Sequence, residues 1–390
     1  MDISTYNEYA ISKRVKNIEI SGIRKFYNKV IQVPEALSLT LGQPDFNVPG
    51  NIKKAMINAI NENKTEYTLN SGLTELREEI SKFLSKFNID YNKDEICITV
   101  GGSEAILSTF TAILNEGDKV LIPSPAYPAY ESCSKLAGGK VINYSLNGDF
   151  SINVDEIKKL IETEDPKILI LSYPSNPTGA SLSKEDRNKL SNLLKDSNII
   201  IVTDEIYSSL CFEEEYYSIA QCKELKDRII LISGFSKMFS MTGLRVGYVC
   251  APKFFMDEIM KVHQYNVSCA PSIAQYGAYE GLKNCLKDVE DMKKEFIKRR
   301  DYVYKRLIKM GLETVMPTGA FYIFPSIKKY GLSSEEFCER LLKEAHLALV
   351  PGSAFGPLGE GHVRISYSYS FDILKEGMDR LEKWINKNFT

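Results

Sequence analysis

Seven short apolar segments, separated by longer stretches of helical periodicity, constrain the fold of this chain more than any other feature. In chain order they are ICITV (96–100), KVLIP (119–123), KVINY (140–144), KILILS (167–172), NIIIVT (198–203), RIILIS (228–233) and RVGYVC (245–250). Apolar runs without strict alternation are typical of strands buried on both faces. Helix-patterned segments lie between most of them, at 103–115, 127–137, 155–163 and 183–195. This alternation predicts an α/β fold with a mainly parallel, seven-stranded sheet flanked by helices.

The pattern changes after about residue 285. The features beyond it are a long charged helical stretch (285–310), the segment GAFYIFPSI (319–327), a helix near 333–345, the strand-like VRISYS (363–368) and an amphipathic helix from about 371. They predict a smaller α+β domain. Because the first 45 residues have no strand–helix alternation of their own, we expect them to pack with it. The predicted division is a large α/β domain over 46–284 and a small domain over 1–45 and 285–390.

Composition and charge exclude several classes of protein. Apolar residues make up 44% and charged residues 26% of the 390, and the net charge is −2, which disfavours a nucleic-acid partner. The N-terminus has no continuous apolar segment, and no stretch approaches the roughly 18 apolar residues of a membrane span. The eight cysteines form no C-x-x-C pair and the three histidines do not cluster with them, so we expect reduced cysteines, no metal site and a cytoplasmic location.

Polar side chains follow four of the predicted strands directly. GGSEA follows ICITV, YPSNPTG follows KILILS, DEIY follows NIIIVT and GFSK follows RIILIS. Ligands of open α/β sheets collect beyond the carboxyl ends of the strands. The sequence therefore predicts that the functional site lies at this edge of the sheet.

Lys237 and Arg245, in GFSKMFSMTGLRVGY (234–248), are the most informative residues at that edge. Lys237 comes just after a buried strand, where partial desolvation lowers a lysine pKa and makes the amine nucleophilic. Arg245 lies between Gly243 and Gly247, and these small neighbours give a phosphate access to its guanidinium. The pattern favours a Schiff-base lysine beside an oxyanion site.

The string GFSKMFSMTGLRVG resembles the pyridoxal-phosphate (PLP) attachment signature of class I/II aminotransferases, which are fold-type I PLP enzymes. The resemblance extends from LGQPDF (41–46) to VRISYS (363–368). It implies PLP as cofactor and Lys237 as the catalytic residue that holds it. It also implies a homodimer with shared active sites.

The resemblance assigns the cofactor ring to three residues. Asp204, at the end of NIIIVTD, matches the aspartate that pairs with the protonated pyridine nitrogen. Tyr207 and Asn176 match the donors that bond the phenolic oxygen of the ring, and Asn176 is also placed near the substrate. Taken alone, Asp204 is better explained as a helix cap or turn residue and Asn176 as a turn residue; beside Lys237 the cofactor roles are favoured.

Further residues are assigned to the phosphate and to the ring face. GGSEAI (101–106) is a glycine turn that opens a helix, which suits a phosphate, and Gly102 and Ser103 are the expected contacts, together with Ser236. The resemblance implies that Tyr127 stacks on the ring. It also implies that Tyr67, in YTLNSGLTELREEI (67–80), reaches the phosphate of the neighbouring subunit.

Arg364 and Gly42 are the expected substrate-binding residues. Arg364, in HVRISYS, resembles the arginine that grips the α-carboxylate of an amino acid, since its planar fork matches that group. Gly42, in LGQPDF, resembles the glycine whose backbone approaches the same carboxylate. The substrates implied are an α-amino acid and a 2-oxo acid.

The reaction implied is a ping-pong transamination in which Lys237 removes the Cα proton and delivers it again, with a 2-oxo acid such as 2-oxoglutarate as acceptor. The alternatives are a PLP-dependent C–S β-lyase and, outside enzymes, a PLP-binding regulator. The full-chain pattern and ISGIR (20–24) resemble the bacterial branch of aspartate, aromatic and N-acetyl-diaminopimelate aminotransferases. Ser103 stands where some aspartate enzymes of this branch have a lysine, which disfavours strict aspartate specificity.

Overall fold

The computed structural model describes residues 10–389, and the predicted elements are present in it. The strands in chain order are β1 (Leu37–Ser38), β2 (Ile96–Thr99), β3 (Lys119–Ser124), β4 (Lys140–Ser145), β5 (Ile168–Ser172), β6 (Ile200–Asp204), β7 (Ile229–Gly234), β8 (Gly247–Cys250), β9 (Tyr322–Ile323), β10 (Leu347–Ala348), β11 (Val350–Pro351) and β12 (Val363–Ser366). The helices are α1 (Lys13–Lys16), α2 (Gly22–Val30), α3 (Gly50–Asn61), α4 (Thr74–Ser85), α5 (Gly101–Ile113), α6 (Ala129–Leu136), α7 (Val154–Glu164), α8 (Lys184–Leu194), α9 (Phe235–Met238), α10 (Lys253–Val267), α11 (Ser272–Asn284), α12 (Leu286–Lys309), α13 (Ser334–Ala345) and α14 (Phe371–Phe389).

The seven apolar segments form one sheet, in the order β2-β8-β7-β6-β5-β3-β4. All its neighbouring strands are parallel except that β8 runs antiparallel to both β2 and β7. The central strands are buried along their whole length because helices cover both faces, which explains their continuous apolar character. The predicted mainly parallel, seven-stranded α/β sheet is confirmed.

Side-chain caps explain where several helices begin. The side chains of Asn153, Ser183 and Ser333 accept hydrogen bonds from backbone N–H groups in the first turns of α7, α8 and α13. Such caps satisfy donors that the helix itself cannot pair. The N-terminus of α5 has no side-chain cap, although it lies at the carboxyl end of β2. Its free donors are part of the site described below.

A second core forms around the antiparallel sheet β11-β12-β9 and helices α13 and α14. Phe26, Val30 and Leu39, from the N-terminal part of the chain, belong to this core, and β1 pairs with β10. Helix α12 contributes Val289 to the large core and Phe296 to the second. This packing supports the proposed division into 46–284 and 1–45 with 285–390, with α12 continuous across both cores.

Within residues 10–389, no helix combines the length and the apolar character that a bilayer crossing requires.

Candidate active site

The carboxyl ends of β2, β5, β6 and β7 meet at one edge of the sheet, where they border a cavity of about 500 Å³. Residues of α2, of the segment 40–42 and of β9 and β12 close the cavity from the side of the second core. The predicted site residues that line it are Gly42, Gly102, Ser103, Tyr127, Asn176, Asp204, Tyr207, Ser236, Lys237, Arg245 and Arg364. The fold thus brings together side chains that are up to 322 positions apart in the sequence, from Gly42 to Arg364.

Lys237 extends from the short helix α9 into this cavity. Its Nζ donates a hydrogen bond to the Gly42 carbonyl oxygen at 2.5 Å. Burial, together with the positive charges of Arg245 and Arg364, lowers the pKa of Lys237 to about 8, and Asp204 opposes that shift. The amine therefore loses its proton far more readily than an exposed lysine, as a nucleophile or a general base requires.

Asp204 ends β6 as a buried carboxyl group. Its Oδ2 accepts a hydrogen bond from the Tyr130 hydroxyl at 2.7 Å, and its Oδ1 accepts one from the Ile206 N–H at 3.1 Å. Burial raises the pKa of Asp204, while these hydrogen bonds and the charge of Lys237 lower it. Since an anion in this position is costly without a cation, the carboxylate suits a positively charged ligand atom.

The uncapped N-terminus of α5 forms a cradle with Arg245. Gly101 has φ +73°, and a Cβ there would lie 2.5 Å from Arg245 Nη2. A Cβ at Gly247 would lie 2.8 Å from the Gly101 carbonyl carbon, so glycine is needed at both positions. Among residues 10–389, Arg245 donates only to backbone carbonyls, to Thr242 at 2.9 Å and to Val100 at 3.5 Å. The guanidinium and the free helix N–H groups together suit a dianion such as a phosphate.

Arg364 is a buried cation, 2% exposed, on β12. It donates to Asn176 Oδ1 at 2.9 Å and to the Thr40 carbonyl oxygen at 2.6 Å, and it stacks 4.3 Å above the Tyr322 ring. Within residues 10–389 it has no acidic partner, and its Nε has no hydrogen-bond acceptor. Burial lowers the pKa of Arg364. A carboxylate in the cavity would supply the missing acceptor and charge.

Tyr127, Tyr207 and Tyr322 are among the aromatic side chains that line the cavity. The Tyr207 and Tyr322 hydroxyls share a hydrogen bond of 2.8 Å, and burial raises the pKa of Tyr207 well above its ordinary value. Tyr207 is therefore a hydroxyl donor at neutral pH. The Tyr322 hydroxyl also leaves no space at Gly42, where a Cβ would lie 2.7 Å from it.

Tyr67 lies outside the cavity of its own chain. Its side chain is 86% exposed. A residue that reaches into a neighbouring subunit is expected to project in this way, and the role of Tyr67 stays a prediction.

Sequence reasoning missed several lining residues: Arg24, Thr40, Tyr130, Ser172 and Tyr322. Two of them had a weak signal, since Tyr130 belongs to SPAYPAY with Tyr127, and Ser172 is the last residue of KILILS. The Tyr130 hydroxyl lies 2.9 Å from Ser172 Oγ as well as close to Asp204. No local pattern indicates that contact, because Asp204 follows 74 positions later.

These groups together define a class of site. An amine of lowered pKa lies between a dianion cradle, a buried carboxyl group and a buried guanidinium that has no anion. These groups match a cofactor that has an aldehyde for the amine, a basic aromatic ring for the carboxyl group and a phosphate for the cradle. The guanidinium matches a substrate that has a carboxylate. The site is therefore that of a lysine-dependent PLP enzyme.

Comparisons with known proteins give the family. The model of the family "Aminotransferase class I and II" matches residues 34–381. The chain is 47% identical to a probable N-acetyl-LL-diaminopimelate aminotransferase of Bacillus subtilis, with 97% of each protein covered. It is 43% identical to an aspartate aminotransferase of Pyrococcus abyssi, over 96% of this chain and 98% of that protein. The crystal structure of an aromatic aminotransferase from Pyrococcus horikoshii superposes with a TM-score of 0.88 at 41% identity, covering 93% of this chain and 99% of that one.

The chain belongs to the class I and II aminotransferases. These are PLP-dependent enzymes, so the predicted cofactor and the predicted transfer of amino groups are confirmed. The part played by each lining residue remains to be proposed from its position.

Proposed function

We propose that this enzyme moves the amino group of an α-amino acid to a 2-oxo acid, such as 2-oxoglutarate, by a ping-pong mechanism. The observation that carries the proposal is that Lys237, with its lowered pKa, opens on the same cavity as the buried, anion-free Arg364. One group can take up a proton and the other can bind a carboxylate. An α-amino acid carries both the proton and the carboxylate on one carbon atom.

Four residues are proposed to hold the phosphate of PLP. Gly102 and Ser103 supply the N-terminus of α5, and Ser236 and Arg245 line the same side of the cavity. The helix dipole and the guanidinium both favour a dianion there.

Four further residues are proposed to surround the ring. With PLP bound, Asp204 would pair with the ring nitrogen, Asn176 and Tyr207 would donate to the phenolic oxygen, and Tyr127 would contact the ring. When bound, PLP supplies an electron sink for the carbanion that forms at the substrate Cα. Tyr130 keeps Asp204 oriented through the 2.7 Å hydrogen bond.

The substrate is proposed to bind through its α-carboxylate. Arg364 binds the carboxylate as a fork, with Asn176 fixing the guanidinium plane and Gly42 leaving room for the Tyr322 hydroxyl. This orientation presents the Cα proton to Lys237 Nζ, which removes it as a general base and returns it as a general acid. Positioning of this kind accounts for a large part of the rate enhancement, because the reacting groups are already oriented before the proton is transferred.

The decisive experiment measures glutamate formation from an amino donor and 2-oxoglutarate. We expect wild type to be active, Lys237→Ala to lose turnover and Arg364→Gln to lose about 10- to 100-fold in kcat/KM, as for removal of a charge-assisted contact. Lys25→Gln, a surface substitution on α2, serves as control. Unaltered turnover in Lys237→Ala contradicts the proposal. Release of pyruvate from cystathionine without glutamate formation indicates a β-lyase instead.

The amino donor is best sought among the substrates of the relatives. Their names include N-acetyl-LL-diaminopimelate, aspartate and aromatic amino acids. A donor panel that contains all of these with 2-oxoglutarate, compared by kcat/KM, identifies the preferred substrate.

We also place the enzyme in the cytoplasm, which its free and mostly buried cysteines support.

We further propose a homodimer with shared active sites. Three large side chains near one another in the fold are exposed on the surface: Tyr67 at 86%, Leu69 at 61% and Tyr265 at 89%. Asn70 Nδ2 donates to the Ser268 carbonyl oxygen at 2.7 Å, which ties the two loops together. A patch of this kind is typical of a protein–protein contact.

The dimer predicts two separable effects. By light scattering we expect a mass of roughly twice 44.1 kDa for wild type, and a monomer for Tyr265→Arg. Phe254→Arg, at an exposed position (58%) earlier on α10, is the matched control and stays dimeric. Tyr67→Phe stays dimeric but binds PLP about tenfold more weakly, because one phosphate donor is lost. A monomeric wild type, or unchanged PLP affinity in Tyr67→Phe, contradicts the shared site.

A further inference from the structure

His263, on α10, is a fully buried titratable group that lies outside the active-site cavity. Its Nε2 is 2.9 Å from the carbonyl oxygen of Asn70, in the loop 67–73, which is called the Tyr67 loop after its first residue. Its Nδ1 is 3.3 Å from both carboxylate oxygens of Glu104, on α5. Since a carbonyl and a carboxylate both accept hydrogen bonds, an imidazole that donates from each nitrogen joins the Tyr67 loop to α5.

Glu104 continues this link to the cradle of α5 and Arg245. Its Oε2 accepts a hydrogen bond from the Val100 N–H at 3.1 Å, and its Oε1 accepts one from the Ser108 hydroxyl. Val100 directly precedes α5, and its carbonyl oxygen is an acceptor of Arg245. The carboxyl group thus holds the backbone at the start of the helix with one contact and His263 with another.

A second buried side chain, Gln275 on α11, holds both ends of the Tyr67 loop. Its Nε2 donates to the Thr68 hydroxyl at 3.1 Å, and its Oε1 accepts from the Leu73 N–H at 2.8 Å. Between these two ends, His263 binds the middle of the loop at Asn70. The backbone of the Tyr67 loop is therefore fixed from inside the protein by side chains of α10 and α11.

The outer side of this arrangement is the surface proposed above to bind a second copy of the chain. Residues two positions apart point to nearly opposite sides of a helix, because each residue turns it by about 100°. His263 accordingly faces the interior, while Tyr265 and Tyr67 are 89% and 86% exposed. The hydrogen bonds of His263 thus lie beneath that surface and lead from it to the cradle.

Stability alone gives little reason for a buried polar pair at this position. Hydrophobic side chains of similar volume in place of a buried charged pair often leave a protein equally stable or more so, because desolvation offsets the attraction. Orientation is a separate effect, since a fully satisfied polar network fixes the relative position of the segments it joins. His263 and Glu104 therefore contribute a fixed position of the Tyr67 loop relative to α5.

We infer that His263 and Glu104 are positioning residues for the cofactor phosphates of both subunits. They fix the Tyr67 loop, from which Tyr67 reaches the phosphate of the partner, against the cradle that holds the phosphate of their own chain. The inference deepens the proposed shared site and rests on it. Neither residue lines the cavity, so both act through the groups that they hold. Tyr67 consequently contributes fully to phosphate binding only while the contacts of His263 are intact.

A double-mutant cycle tests this dependence, with the PLP affinity of the cofactor-free protein measured by absorbance titration. The variant His263→Leu/Glu104→Gln removes the link without leaving a buried carboxylate unpaired. In wild type we expect Tyr67→Phe to raise the PLP dissociation constant about tenfold, and in the variant by less than about threefold. With pyridoxal, which has no phosphate, Tyr67→Phe should change the affinity by less than about twofold in either background.

Tyr144→Phe is the matched control background. It also removes a buried hydrogen bond of the large domain, from the Tyr144 hydroxyl to the Ile170 carbonyl oxygen at 2.9 Å. In this background Tyr67→Phe should retain its full effect. A full effect in His263→Leu/Glu104→Gln as well overturns the inference and leaves the shared site standing. No effect of Tyr67→Phe in wild type overturns the shared site and the inference with it.

Hydrogen exchange gives a second readout with the milder variant His263→Gln, which retains an amide donor for one of the two acceptors. In the PLP-loaded protein we expect the amides of the Tyr67 loop to exchange about tenfold faster or more than in wild type, and those of α14, in the second core, to be unchanged. Equal acceleration throughout the chain means that His263 contributes only general stability, and this result overturns its positioning role. Unchanged exchange of the Tyr67 loop overturns it as well.

Discussion

Lys237 and Arg364 are cationic side chains that the fold withdraws from water without an ion pair to an acidic side chain of residues 10–389. A folded chain gains nothing in stability from such groups, because desolvation of a charge is costly. The cost is offset only when a ligand brings the missing anion or when the lysine is neutral. At the scale of single residues, the site is therefore arranged to bind its ligands. The lowered pKa of Lys237 is a consequence of this arrangement.

The lowered pKa of Lys237 predicts how the cofactor-free protein takes up PLP. The neutral amine is the nucleophile, and its fraction rises as pH passes upward through the pKa, which is about 8 here and 10.5 for an ordinary lysine. We therefore expect the rate of PLP incorporation, followed by absorbance, to increase from pH 7 to 9 and then to level off. A free lysine derivative, the control, should continue to gain rate toward pH 10.5.

Two outcomes would argue against this environment. One is a rate that still rises steeply above pH 9.5 in the wild-type protein. The other is an unchanged midpoint in Arg245→Met and Arg364→Met, since both guanidinium charges lower the pKa of Lys237 and their loss should move the midpoint to higher pH.

At the scale of elements, the N-terminus of α5 and the loop that carries Arg245 meet through glycine. Gly101 is in the left-handed region at φ +73° and Gly247 lies against it, so backbone and guanidinium come close enough to share one anion. Neither the helix nor the loop alone forms this cradle. The strand order places them side by side, because β2 pairs with β8.

Gly101→Ala should disrupt the cradle specifically. Its Cβ would displace Arg245 Nη2, so we expect the PLP dissociation constant to rise about tenfold or more, along with roughly 1–2 kcal/mol of lost stability from the positive φ. Gly117→Ala is the matched control, since Gly117 has φ +87° and open space around it. It should lose similar stability in denaturant titrations and bind PLP normally. Equal PLP affinity in the two variants would mean that strain alone acts at Gly101.

At the scale of the whole molecule, α12 joins the two cores. Phe296 is fully buried and packs edge-on against Phe46 at 5.3 Å and beside Phe321 at 5.4 Å, while Val289, two turns earlier, packs in the large core. A continuous helix that belongs to both cores favours unfolding in one transition. The cavity between the cores then keeps its shape as long as α12 is intact.

Removal of the Phe296 ring should lower the stability of the whole chain. We expect Phe296→Ala to lower the free energy of unfolding by about 3–5 kcal/mol, in a single cooperative transition, because a large cavity is left. Ile308→Ala, at a 45% exposed position of the same helix, should cost less than about 0.5–1 kcal/mol. Calorimetry and tyrosine absorbance would check both values. Two separated transitions in wild type would contradict the joint unfolding of the cores.

Local sequence patterns determined a large part of this protein. Buried strands and amphipathic helices are recognisable from short stretches of sequence, and the rule that ligands collect at strand carboxyl ends predicts that Lys237, Asp204 and Asn176 share one edge of the sheet. The family signature around Lys237 added the cofactor. These features can be predicted from the sequence because each depends on residues that are close together in the chain.

The tertiary structure decided what depends on distant residues. The direction of β8 follows from its pairing with β2 and β7, and the bond between Tyr130 and Asp204 and the stacking of Tyr322 on Arg364 both follow from packing across the cavity. The partner of a side chain depends on which surfaces pack together in the folded chain. The periodicity of apolar residues does not show which surfaces those are. The sequence alone therefore determined the cofactor and the chemistry at Lys237, and the fold decided which groups surround them.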